Sequence, residues 1–388
     1  MHRTNFRIAR VLGIPIEINA TWIITLVFVT GLLALQVYPQ FLPDSSPHRN
    51  DVLLHWVMAL ISGIVFFVSV LLHELAHSVV ARRQGIPVKA ITLFIFGGVS
   101  QIAGEARRPL HEFLIAIVGP LTSLVLAGGL LLVLWAGSIS TDEPLGLALQ
   151  WLMWMNLVVA AFNMAPGFPL DGGRVLRSIL WGITGSMLKA TRLATMTGRA
   201  MGYSLMLIAG MAILGLIEFI DQWSALWFGI LGMFLESTAR QSWFQARALD
   251  ALSRHKASEL MSSNLPLARV GDRLQDLVRA GQRHFIYFVT DGDDDRVVGV
   301  LTDRETGPFQ RQHRLTVTAA DTMIEPEEMP TAHPTEEASG MLHTMEAAGV
   351  WHLPVVDDGR VVGVVGKEDV LRLLARDLAP QRRLTGLS

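Results

Sequence analysis

Six apolar runs, each long enough to cross a lipid bilayer at about 20 residues, limit what this chain can fold into. They lie near 19–38, 55–80, 112–137, 145–165, 199–217 and 223–241. In lipid every backbone N–H and C=O must find its partner inside the protein, so runs of this length fold as helices. Basic residues collect in alternate gaps. Arg3, Arg7 and Arg10 precede the first run, and Arg82, Arg83, Arg107 and Arg108 follow the second. Arg174, Arg177, Lys189 and Arg192 follow the fourth, and Arg240 and Arg247 lie at and beyond the end of the sixth. The other gaps hold Asp44 with Arg49, Asp142 with Glu143, and Glu218 with Asp221. Because basic residues stay on the cytoplasmic side, the pattern predicts six spans with both termini in the cytoplasm. Gly13-Ile14-Pro15 interrupts the first apolar stretch and no small-residue cleavage site follows, which fits an uncleaved span rather than a signal peptide.

Beyond Arg247 the sequence becomes mixed and charged. The division predicts a membrane-embedded domain over 1–242, a linker over 243–256 and a soluble α/β region over 257–379. That region holds a repeat: Arg296-Val297-Val298-Gly299-Val300 returns as Arg360-Val361-Val362-Gly363-Val364, and Ser258-Glu259-Leu260-Met261 matches Ala320-Asp321-Thr322-Met323 in kind. Two copies, about 257–310 and 319–379, imply a pair of modules packed on each other. Between the second and third runs, the β-branched and aromatic stretch Ile86–Phe96 followed by Gly97-Gly98-Val99-Ser100 reads as a strand or hairpin, with Gly13–Ile18 as a candidate partner strand. It must be covered by protein or lie at the water boundary.

The second run carries His73-Glu74-Leu75-Ala76-His77. Residues four apart on a helix stand one above the other, so both imidazoles can reach one metal ion while Glu74 stands ready to take a proton from water. Such residues are costly in lipid and mark function, although a capping or hydrogen-bonded core pair would share the spacing. The chain has no cysteine, which excludes disulfides, thiolate metal sites and cysteine nucleophiles; any metal must be held by His and carboxylate. A catalytic zinc needs three protein ligands and an open position. Asp171 is the candidate third, at the end of Asn163-Met164-Ala165-Pro166-Gly167-Phe168-Pro169-Leu170, where the fourth run breaks. As a helix N-cap it would be placed alike. The net charge of −2 provides no basic field for nucleic acid.

These motifs resemble the site-2 protease family of intramembrane zinc metalloproteases, in the bacterial and archaeal group with a C-terminal pair of cystathionine-β-synthase (CBS) domains. His73–His77 is similar to that family's zinc helix, Asn163 through Gly173 to its second motif, and Val118-Gly119-Pro120 to a further recurring feature. The resemblance implies a plasma-membrane enzyme that cleaves a transmembrane protein substrate in or beside its membrane segment. It also implies one zinc per chain on His73, His77 and Asp171, with Glu74 as general base. Asn163 would bond the substrate or the developing oxyanion, or else the helix backbone freed by Pro166. Gly97 and Gly98 would let a substrate strand approach closely, or the hairpin only braces the zinc helix. Asn156, and Gly119 with Ser123, read as helix-packing residues.

His352-Leu353-Pro354-Val355-Val356-Asp357 resembles the CBS strand pair. Such pairs commonly dimerise, and many bind adenine nucleotides through a Thr or Ser and an Asp. Here the first copy has Thr302 but Glu305 where the Asp is expected, while the second keeps Asp369 but has Gly366 for the hydroxyl. The tail is therefore expected to serve assembly or substrate choice before nucleotide control. The rival readings are a CBS-regulated channel or transporter, since broken spans also mark transport sites, and an inactive scaffold, which would have no use for Glu74.

Overall fold

The computed structural model describes residues 5–95, 97–279, 286–291, 297–302, 317–324, 329–358 and 360–378. Its contacts divide the chain into two units, Met1–Trp243 and Phe244–Ser388.

The first unit begins with two strands, β1 (Asn5–Val11) and β2 (Ile14–Asn19), before the first apolar helix α1 (Thr21–Leu32), which continues through a π-helical stretch Leu33–Val37 and a last turn Tyr38–Phe41. Helix α2 (Val52–Arg83) follows, capped by the Asp51 carboxylate on the Leu54 N–H at 3.0 Å. Strands β3 (Val88–Phe94) and β4 (Gly97–Ile102) lead into α3 (Pro109–Ala136) and α4 (Pro144–Asn163), each started by proline, whose missing N–H costs nothing there. A short loop then enters α5 (Asp171–Thr184), followed by α6 (Met187–Ile213) and α7 (Gln222–Ser253). Among the described residues, four helices are long and apolar enough to cross a membrane: Thr21–Phe41, α2, α3 and α4.

Packing in these helices is the reverse of a water-soluble core. Ala59, Ser62 and Gly63 of α2 and Ala116, Gly119 and Ser123 of α3 are buried, while Leu53, Val125 and Trp135 are more than 70% exposed. Small residues between helices let backbones approach, and large apolar side chains turned outward suit a lipid solvent.

The strands form one sheet in the order β1-β2-β3-β4, with β2 parallel to β3 and the other two pairs antiparallel. The expected partner strand is therefore present as β2. Strand β1 was not anticipated: Arg7 and Arg10, read as flanking charges of the first span, stand within it. Arg177, also counted with the interfacial cations, is instead buried in an ion pair with Glu112. Helix α6 starts well before its apolar run, carrying Lys189 and Arg192 in its opening turns.

In the second unit α7 is helical through Ser253, across most of the segment read as a linker. The first copy contains β5 (Leu267–Arg269), α8 (Leu274–Arg279), β6 (Ile286–Thr290) and β7 (Val297–Thr302). The second contains α9 (Ala338–Ala348), β8 (His352–Asp357), β9 (Arg360–Gly366) and α10 (Lys367–Leu378). Their lead-in segments are exchanged. Ser262, near the start of the first copy, pairs with Val364 of β9, whereas Ile324, near the start of the second, pairs with Val300 of β7. Met261 and Met323 fill the space over Gly363 and Gly299 in the same crossed manner. Glu305 lies outside the described residues, as do residues 292–295 of the acidic run Asp291-Gly292-Asp293-Asp294-Asp295, which reads in the sequence as a solvated turn between two strands and not as a second metal site.

His255 closes this unit, its Nδ1 2.7 Å from Glu259 Oε2 and its Nε2 3.0 Å from Asp377 Oδ2. Both nitrogens can donate only as imidazolium, and the Glu259 hydrogen bond leads the effects that raise its pKa above the usual histidine value. A raised folded value adds stability that is complete below the unfolded pKa, about 6.5, and is lost as pH climbs through the folded one. Amide exchange in α10, measured against α9, is therefore expected to quicken above neutral pH in the full chain. His255→Gln should remove that dependence; an unchanged profile would show the two contacts to be idle.

Candidate active site

His73 and His77 lie one turn apart on α2, each 3% exposed, with their rings 4.9 Å apart edge to face. Asp171 opens α5, and its Oδ2 sits 3.1 Å from the Nε2 of both histidines. The three ligand atoms lie within 4.8 Å of one another. Ligands bonded to zinc at about 2.0–2.1 Å on a tetrahedron stand roughly 3.4 Å apart, so the donors fit a zinc ion.

The other ring nitrogens are also held. His77 Nδ1 lies 2.6 Å from the Ile115 carbonyl, which can only accept, so Nδ1 carries the proton and Nε2 keeps its lone pair for a cation. His73 Nδ1 lies 2.9 Å from Ser123 Oγ. Between these partners a Cβ on Gly119 would come within 2.6 Å of His73 Nε2 and overlap the His77 ring. Ile115, Gly119 and Ser123 are four apart, so they form one stripe of α3 turned toward the histidines. Gly119 and Ser123 do permit close approach, but to the imidazoles; reading them as helix-packing residues alone missed this. The stripe's spacing was visible in the sequence, but not what it faces.

Glu74 projects toward β4. Its Oε2 accepts from Ser100 Oγ at 2.7 Å, and the Ser78 hydroxyl lies 3.2 Å from Ser100 Oγ in turn. Gly98 lies against the Glu74 stem, where a Cβ would meet Cγ at 2.6 Å, and Gly97 has a φ of +123°, which suits glycine. Ser100 as the partner of Glu74 was not anticipated.

Several contacts place Asp171. The Phe168 N–H donates to the Ala194 carbonyl of α6 at 3.1 Å, and the Arg177 guanidinium lies 5.1 Å from the centroid of the Phe168 ring. Gly172 and Gly173 pass so close to the 164–168 backbone that neither has room for a side chain. Arg177 Nε donates to Glu112 Oε1 at 2.7 Å and ties α5 to α3. Asn163 ends α4, half-buried, on the upstream side of this loop, and Asn156 bonds the Leu152 carbonyl of its own helix at 2.9 Å. Thr302 ends β7, its side chain outside the described residues. Asp369 lies in the first turn of α10, where its Oδ2 accepts from the Gly366 N–H at 3.1 Å.

Two buried imidazoles and a carboxylate, with a second carboxylate beside them, can hold a divalent ion and hydrolyse a polar bond with it. Residues 62–141 and 138–208 match peptidase family M50, and 320–376 match the CBS domain. The chain is 32% identical over 385 residues to sll0528 of Synechocystis, provisionally named a zinc metalloprotease, covering 97% of each chain. It is 30% identical over 375 residues to Rip3 of Mycobacterium tuberculosis, provisionally named likewise, covering 95% of this chain and 92% of that one. Zinc metalloprotease MJ0392 of Methanocaldococcus jannaschii is 27% identical over 372 residues, with 96% of each chain covered.

Proposed function

The chain belongs to peptidase family M50, the site-2 proteases, and on that premise we propose that His73, His77 and Asp171 hold its zinc and that Glu74 is the base with which it cleaves a membrane protein in or beside a transmembrane segment. The convergence of both Nε2 atoms on Asp171 Oδ2, next to Glu74, carries this reading. When bound, zinc supplies Lewis-acid activation of water and of the scissile carbonyl. Ser100 engages Oε2 of Glu74, so Oε1 is the oxygen left to accept the proton of the attacking water and return it to the departing amine. The Ile115 carbonyl and Ser123 keep the imidazoles in orientation. Strand β4 is a sheet edge; a substrate helix that has unwound there can add as a strand beside Gly97 and Gly98. Asn163 then bonds substrate or oxyanion.

The four apolar helices, with α6 and α7, supply six spans, and the basic gaps assign both termini to the cytoplasm. The tail, with its CBS module, acts in assembly or substrate choice, a homodimer being the simplest form. Thr302 and Asp369 come from different copies, and Asp369 already caps α10, which argues against strong adenine-nucleotide binding.

The test uses purified full chain reconstituted beside a transmembrane reporter. Stripping zinc with 1,10-phenanthroline should abolish cleavage, and added zinc should restore it. Cleavage that persists in metal-free protein would refute the assignment.

A further inference from the structure

A cavity of about 230 Å³ lies beside the catalytic residues, lined by Ser100, Ile102, Glu105, Ile115, Arg174 and Arg177 among others. Two of its walls belong to the site itself: Ser100 holds Glu74, and Ile115 holds His77. Strand β4 leads into it. Alternate residues of a strand share a face, so the face carrying Ser100 at Glu74 continues to Ile102 in the cavity. A substrate strand paired along β4 would then bring a side chain there about two to four residues from the cleaved bond, at a rise of roughly 3.3 Å per residue.

The charges in the cavity are unequally committed. Arg177 gives Nε and Nη2 to buried Glu112, so those two groups offset each other. Among the described residues, Arg174 makes one ion-pair approach, Nε to Glu112 Oε1 at 3.8 Å, which is too long for a hydrogen bond and leaves the guanidinium fork available. Glu105 is nearly half exposed on the rim, 3.9 Å from Arg177 Nη1. Ile86, Ile102 and Ile115 supply aliphatic walls. The lining therefore suits a side chain with an aliphatic stem and an acceptor tip.

We infer that this cavity is a specificity pocket that receives an acidic side chain of the substrate and holds it through Arg174, with Glu105 opposing it from the rim. The inference rests on the protease reading above, and its test separates the two.

One arm reads the pocket without proteolysis. The chain has no cysteine, so Ile102→Cys places a single thiol in the cavity of the full-length protein. Its modification is timed with a methanethiosulfonate bearing a sulfonate and with one bearing a trimethylammonium. Arg174→Gln should lower the sulfonate-to-ammonium rate ratio about tenfold, and Glu105→Gln should raise it. The other arm incubates wild-type chain in detergent with a mixed peptide library and sequences the new ends. Asp and Glu should be enriched at one fixed position near the cut, an enrichment that Arg174→Gln reduces about tenfold and Glu105→Gln sharpens. A thiol ratio blind to both variants overturns the proposal. So does a sharp cleavage profile indifferent to acid at every position, which leaves the protease reading intact. A zinc-loaded wild-type chain that cuts nothing overturns the protease reading itself, and the pocket's role with it.

Discussion

Glu74→Gln is expected to lower cleavage by about 10²–10⁴-fold while zinc stays at its wild-type content. The magnitude is that of losing a positioned proton acceptor, and the retained metal follows because the three converging ligand atoms belong to other residues. The substitution keeps the length of the side chain and its place against Gly98, and the amide oxygen can still accept from Ser100. It removes only the capacity to take the proton. Zinc per chain and initial cleavage rate, measured on one preparation, check both halves. Near-normal cleavage would remove Glu74 from the mechanism, and lost zinc would mean that the carboxylate belongs among the ligands.

Gly119→Ala should cost the site its metal, with zinc falling below about a tenth of the wild-type content under dilute chelator, equivalent to more than roughly 1.4 kcal/mol of binding. Taken as a helix alone, α3 should gain from the change, because alanine is favoured over glycine by up to about 1 kcal/mol inside a helix. The added methyl group, however, meets the two imidazole Nε2 atoms, and the histidines are fixed from behind by the Ile115 carbonyl and Ser123. Gly128→Ala and Gly129→Ala make the same change on the same helix where nothing lies within 4 Å. They should leave zinc untouched. If all three variants kept their metal, the stripe on α3 would be ordinary packing after all.

The parts of this site that showed in the sequence are those whose chemistry depends on residue type. Paired histidines one turn apart, a glutamate between them and an aspartate after a broken span have few other uses in lipid, and the fold brings His73, His77 and Asp171 within reach of one another. The parts that did not show depend on what folds against them. The Ile115 carbonyl is a backbone atom that any residue would provide. Ser100 and Ser123 are small polar residues of a kind common between helices, and only the β4 and α3 backbones aim them at Glu74 and His73. Arg177 looked like an interfacial cation because nothing in its neighbourhood of the chain points to Glu112, which reaches it from α3. In the same way β1 was hidden by its arginines, whose charge was a stronger signal than the strand they belong to.

The crossed lead-ins of the second unit have a consequence for how the chain is made. Ser262 leaves the ribosome early, but its pairing partner Val364 lies almost at the end of the sequence, whereas Ile324 can find Val300 as soon as it emerges. The clasp therefore closes in reverse order of synthesis, and it closes last at the lead-in that is made first. A nascent or clipped chain lacking β9 would keep α7 and its apolar neighbours while leaving Met261 without the Gly363 surface that covers it. A chain whose first lead-in is docked has thus been synthesised at least as far as the strand that docks it.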